Sequence, residues 1–185
     1  AGLPKPDPAV YGLLKPVFSG VFSHCPRTGL LWALEGPAWK HLGRVNKILA
    51  KMSRIKIDDN WANKPIGSLA AIYRSWMPQT AAPLAERIKA LEVLTRDFPD
   101  IGWELCLDQF DRSQTVGHYS HKPEWRNDAS GAGEPRGGRE RYEFCQKALD
   151  LAIAWPSHTA STLGDLVQHM EGISDEDKAK VWDLI

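Results

Sequence analysis

Cysteine is scarce in this chain. Cys25, Cys106 and Cys145 are the only three, odd in number and far apart. That pattern lacks the dense, even spacing of a secreted disulfide framework and fits a reducing compartment, so a cytoplasmic location is expected. No apolar run approaches the ~18 residues that a membrane span requires, so no membrane partner is expected. Net charge is missing as well, because 23 Lys and Arg balance 23 Asp and Glu. No global field then drives the chain onto nucleic acid or lipid, and any such contact must come from a local patch. Motifs with a mechanism are also lacking. There is no G-x-S-x-G elbow, no H-E-x-x-H helix and no nucleotide loop, so we expect no catalytic residue and no cofactor. The start, Ala1-Gly2-Leu3-Pro4-Lys5-Pro6, has neither an initiator methionine nor a signal-peptide pattern, and the chain stops at Trp182-Asp183-Leu184-Ile185 without a polar tail. We expect an excised segment of a larger protein, with any chemistry elsewhere in the parent.

What is present is ordinary globular material. The 185 residues are 43% hydrophobic and 25% charged, and a chain of that size buries roughly 70% of the surface its open form exposes. Eight tryptophans supply large rings of the kind that anchor a core or an interface. Residues 1–27 read as an irregular lead-in punctuated by proline and glycine. Residues 28–110 read as a helical core. Its clearest helix, opened by Pro37, places Trp39, Leu42, Val45, Ile48, Leu49, Met52 and Ile55 at the three-and-four spacing of one buried face. Pro65 opens a helix carrying Ile66, Leu69, Ile72, Tyr73 and Trp76, which Pro78 should stop. Leu84, Ile88, Leu91 and Leu94 mark another, broken at Asp97 to Pro99. Asp100 is the expected cap of the next, which bears Ile101, Trp103, Leu105, Cys106 and Phe110. Residues 111–138 read as one long loop, and residues 139–185 as C-terminal helices. The last of these is capped by Ser174 and carries Asp175, Glu176 and Asp177 where the helix dipole favours acid. Its buried side is expected at Ala179, Trp182 and Ile185. No alternating strand pattern is found, so the expected fold is all-α, with antiparallel helix pairs in an irregular bundle or short solenoid.

The most distinctive motif is a charge stripe. From Gly36 to Ile57 six basic residues occur and no acidic one. Lys40, Arg44, Lys47, Lys51 and Arg54 follow steps of four, three, four and three, on the side away from the apolar face. Such a stripe meets phosphates or an acidic partner, or else it is a solvated face matched by acids of neighbouring helices. In the loop, His118, His121, Trp125 and Arg126 crowd together. The H-x-x-H spacing lacks a third ligand, so no metal is expected, and a loop anchored by Trp125 is the plainer account. The run from Gly131 to Gly138 has neither the dinucleotide nor the nucleoside-triphosphate pattern and reads as a flexible linker. Asp58 with Asp59, Asp97 with Asp100 and Asp108 with Asp111 lie near helix ends, where capping explains them. Cys25 beside His24 is a nominal thiol–imidazole pair, but adjacent residues seldom face each other.

Read as strings, Leu30-Leu31-Trp32-Ala33-Leu34-Glu35, Trp61-Ala62-Asn63-Lys64-Pro65 with Ser68-Leu69, and Trp76-Met77-Pro78-Gln79-Thr80 resemble a stretch of very large bacterial proteins. Gly102-Trp103-Glu104-Leu105 and His121-Lys122-Pro123-Glu124-Trp125-Arg126 continue the likeness, which covers roughly residues 28–128. Those proteins are multidomain signalling or antiphage-defence proteins of the nucleotide-hydrolysing type, in which a helical array similar to HEAT or tetratricopeptide solenoids follows an effector part. The resemblance carries no catalytic motif. It implies a structural or sensing helical segment, with the chemistry elsewhere in the parent. The leading expectation is a non-enzymatic helical scaffold that recognises protein, within its own parent chain or outside it. A nucleic-acid-binding module using the stripe, with Arg136, Arg139 and Arg141, is the alternative.

Overall fold

In the computed structural model the described residues are 41–54, 64–110 and 132–185. Among them the fold is all-α, with seven α-helices and no strand. They are α1 (Leu42–Ser53), α2 (Pro65–Tyr73), α3 (Leu84–Asp97), α4 (Pro99–Leu107), α5 (Gly138–Ile153), α6 (Ala160–His169) and α7 (Asp175–Trp182). A single 3₁₀ turn, Met170–Gly172, links the last two. Helices α1 and α2 pack on each other, and α3 packs on α1, α4 and α5. Helix α4 also touches α2, α5 and α6, which makes it the hub.

Periodicity explains most of this. On α1, Leu42, Val45, Ile48 and Leu49 are buried, as their spacing requires. Trp39, Ile55 and the charge-stripe residue Lys40 lie outside the described residues. Helix α2 starts at Pro65, whose missing N–H costs nothing in a first turn. It ends at Tyr73, earlier than the sequence pattern places it, so Trp76 belongs to the following irregular stretch. Thr80 accepts a hydrogen bond from the Ala82 N–H at 3.1 Å and turns the chain toward α3.

Between α3 and α4 there is only one residue, Phe98, and Pro99 takes the first helical position. Asp100 therefore sits inside the first turn and is not the cap, a correction that follows from proline's preset φ. So tight a corner presses the two helices together at Gly102. A Cβ there would lie 2.5 Å from the Thr95 Cα, too close for any side chain.

At the other end, Thr159 and Thr162 form a reciprocal capping box on α6, and the Ser174 Oγ accepts from the Asp177 N–H at 3.2 Å on α7. The orientation of α7 departs from the sequence reading. Val181 is fully buried, whereas Trp182 is 57% exposed, Ile185 65% exposed, and Ala179 also faces solvent. The reason is Asp177, which is turned inward to accept hydrogen bonds from Gln146 on α5 at 3.1 Å and from Lys180 at 2.9 Å. With Asp177 inside, its neighbour one turn later is Val181, and the tryptophan rotates outward.

The Gly102 contact gives a direct test. Gly102→Ala forces the α3–α4 corner apart, and the expected loss is about 2–3 kcal/mol in chemical denaturation; an unchanged midpoint would show that the two helices do not touch there.

Candidate functional site

The charge stripe resolves into two kinds of residue. On the outward side of α1, Arg44, Lys47, Lys51 and Arg54 are all exposed. Lys47 reaches Asp97 at the end of α3, at 2.8 Å. Arg54 reaches Asp100 on α4 with two nitrogens, its Nε at 2.9 Å, and its guanidinium lies 4.9 Å above the Phe98 ring. Hydrogen bonds from Lys47 and then Arg96 hold the Asp97 carboxyl below the usual carboxylate range, and Arg54 does the same for Asp100. Two of the cations are thus matched by acids of neighbouring helices, at about 1 kcal/mol or less for such exposed pairs. Arg44 and Lys51 have no ion pair among the described residues. The other sequence candidates, Lys40, His118, His121, Trp125 and Arg126, lie outside the described residues, as do Cys25 and His24.

A second centre, which the sequence reading passed over, lies inside the bundle. On α3, Arg87 is wholly buried. Its Nη2 donates to Glu140 on the first turn of α5, while Arg136 Nε stands 3.7 Å from the same carboxylate oxygen. The Arg87 guanidinium is 5.0 Å above the Phe144 ring, and Phe144 stacks on Tyr73 with ring centroids 6.3 Å apart. The Tyr73 hydroxyl is hydrogen-bonded to the buried Asn46 amide of α1. One chain of contacts thus joins α1, α2, α5 and α3. Burial weakens the hold of Arg87 on its proton, and Glu140 opposes that effect. Burial also pushes the Tyr73 hydroxyl well above the ordinary phenol range, so it stays neutral. The Arg87 Nε and Nη1 donors are buried without an acceptor. One signal for Arg87 did exist in the sequence: it falls three residues after Leu84 and four before Leu91, in phase with the apolar side.

The stretch before α5 is pinned to the residues that follow α2. Gly133 N–H donates to the Pro78 carbonyl and Arg136 N–H to the Trp76 carbonyl, each at 2.8 Å. Ala132 is buried, and Gly133 adopts φ +66°, where a Cβ would meet the Gln79 amide at 3.0 Å. The flexible-linker reading of residues 131–138 is therefore corrected for 132–136, because backbone bonds pin them to the residues after α2.

A third cluster joins α4 to α6. Trp103 Nε1 donates to Asp165 at 2.9 Å and packs against Trp155, ring centroids 4.9 Å apart. Nearby, Asp108 is exposed by area, yet surrounding chain strips enough water from its carboxyl to push it up to about 6; Glu104 adds to this and His169 opposes it. No group of three or more His, Cys, Asp or Glu that could hold a metal occurs among the described residues. Cys106 and Cys145 are free and buried, and burial pushes the Cys106 thiol up to about 12, which leaves it inert as a nucleophile.

Two predictions follow the chemistry of these centres. Arg87→Ala removes a buried cation and its packing on Phe144, with an expected loss of about 3–5 kcal/mol by denaturant titration. Asp108 binds its proton more tightly folded than unfolded, so its contribution is full below about pH 4 and is lost as pH rises through 6. Asp108→Asn should flatten that slope and stabilise the protein at pH 7 by less than about 1 kcal/mol, since water and salt screen an exposed group. A pH series of thermal midpoints on both proteins reads this out.

No family model, curated protein or solved structure matches the chain.

Proposed function

We propose that the chain is a non-enzymatic helical scaffold, a protein-recognition segment of a larger bacterial, cytoplasmic protein whose chemistry lies elsewhere in the parent. The observation that carries this reading is the outward turn of α7. Trp182 is 57% exposed beside a fully buried Val181, and an exposed tryptophan offers a large apolar surface at little entropic cost to a partner. The ionisable residues inside the bundle support the same reading, because they spend their charge on one another: Arg87 meets Glu140, and Asp177 meets Lys180. No described helix is long and apolar enough to cross a membrane.

A photo-crosslinking side chain in place of Ile185 tests the reading in the full chain. The expected result is a discrete, nuclease-resistant protein adduct that Trp182→Ala reduces at least tenfold. No adduct, or one indifferent to Trp182→Ala, would reject it.

One observation favours the alternative, a nucleic-acid-binding module. Arg44 and Lys51 stand exposed on α1 with no acid matched to them among the described residues. If that face meets phosphates, the double substitution Arg44→Gln with Lys51→Gln should lower the salt dependence of heparin retention by about two charges. Lys47→Gln with Arg54→Gln, whose cations are already engaged, should lower it less. Retention that the first pair leaves unchanged would dismiss the alternative.

A further inference from the structure

We propose that copies of this chain associate with one another, the outward face of α7 on one copy docking on the charge stripe of α1 on the next. The inference rests on the reading of α7 as a recognition surface and names its occupant, a second copy of this chain. Trp182 does not stand alone on that surface. Asp175, Glu176, Ala179, Trp182 and Asp183 are all exposed and share about a third of the helix circumference. Between Glu171 and Ile185 there are five acidic residues and two lysines. Both lysines are already held, Lys178 by Asp175 at 3.0 Å and Lys180 by the inward Asp177 at 2.9 Å. Glu176 stays 3.7 Å from Lys180 with its side chain 85% exposed, and Asp183 has no ion pair among the described residues.

Helix α1 presents the complement. Gly43, Arg44, Lys47, Lys51 and Arg54 are exposed on a matching share of its circumference. Lys47 and Arg54 are answered by Asp97 and Asp100 of their own copy. Arg44 and Lys51 have no ion pair among the described residues. The spacings agree as well. Arg44 and Lys51 are seven residues apart, and so are Glu176 and Asp183, so each pair spans about 10.5 Å along its helix axis. One docking arrangement can therefore satisfy both acids. Each face also carries a small residue, Ala179 on α7 and Gly43 on α1, and a Cβ at Gly43 would meet nothing within 4 Å. That leaves room for the Trp182 ring, which gains a further attraction where a guanidinium or ammonium lies over it. The two faces differ, so the contact is heterologous. A single helix pair buries little area, and its charges sit at the surface, so the association is weak and salt-sensitive.

The test is sedimentation equilibrium of the purified full chain up to about 1 mM, where weak contacts are read. The weight-average mass should rise with concentration at about 50 mM salt and return to that of one chain at about 500 mM. Trp182→Ala should lower the association constant severalfold. Two charge-reversed chains carry the decisive comparison, one with Glu176→Lys and Asp183→Lys, the other with Arg44→Glu and Lys51→Glu. Each alone should stay monomeric, and an equimolar mixture should associate at least tenfold more strongly than either, because opposite charges again face each other. A misfolded variant could not give that recovery. A wild-type mass that stays at one chain across the range, or a mixture no stronger than its components, overturns the proposal. If the Ile185 photo-crosslink still captures a different protein in a Trp182-dependent way, α7 remains a recognition surface and only its occupant is wrong.

Discussion

A wholly buried arginine constrains everything around it. Taking the Arg87 guanidinium out of water costs several kcal/mol unless its charge is met, and it is met by Glu140 from another helix and by the face of Phe144. Those two partners fix the first and second turns of α5 against α3. Phe144 is in turn stacked on Tyr73, and the Tyr73 hydroxyl is tied to Asn46, so the orientations of α1 and α2 follow from the same centre. An apolar core tolerates small slides of one helix over another. A core containing a charge, two stacked rings and a buried amide does not, because a slide would strand polar groups without partners.

The α3–α4 corner applies a different constraint. One residue joins the helices, and the contact of Gly102 with Thr95 leaves no room for a side chain. The corner brings Asp97 and Asp100 to one place, and there they receive Lys47 and Arg54 from α1. Two carboxylates that look like helix-end caps in the sequence are thereby matched to half of the described part of the charge stripe. The other two described cations, Arg44 and Lys51, have no ion pair among the described residues.

The proposed recognition surface arises where the bundle leaves an apolar side chain uncovered. On α7 the inward turn of Asp177 puts Trp182 outside. At the start of α5 the buried Arg87 meets Glu140.

Sequence periodicity by itself determined the all-α class, the starts of α2 at Pro65 and α5 near Arg139, the Ser174 cap and the buried face of α1. These are local properties: proline presets φ, a hydroxyl caps a free N–H, and apolar residues spaced three and four apart share one side of a helix. Tertiary structure alone decided which charges found partners, why Asp100 pairs with Arg54, and which way α7 faces. It also decided that Arg87, in phase with leucines, would go inside. Such outcomes depend on residues 46 and 53 positions apart meeting in space, as Arg54 with Asp100 and Arg87 with Glu140 do. No spacing along a single helix encodes that.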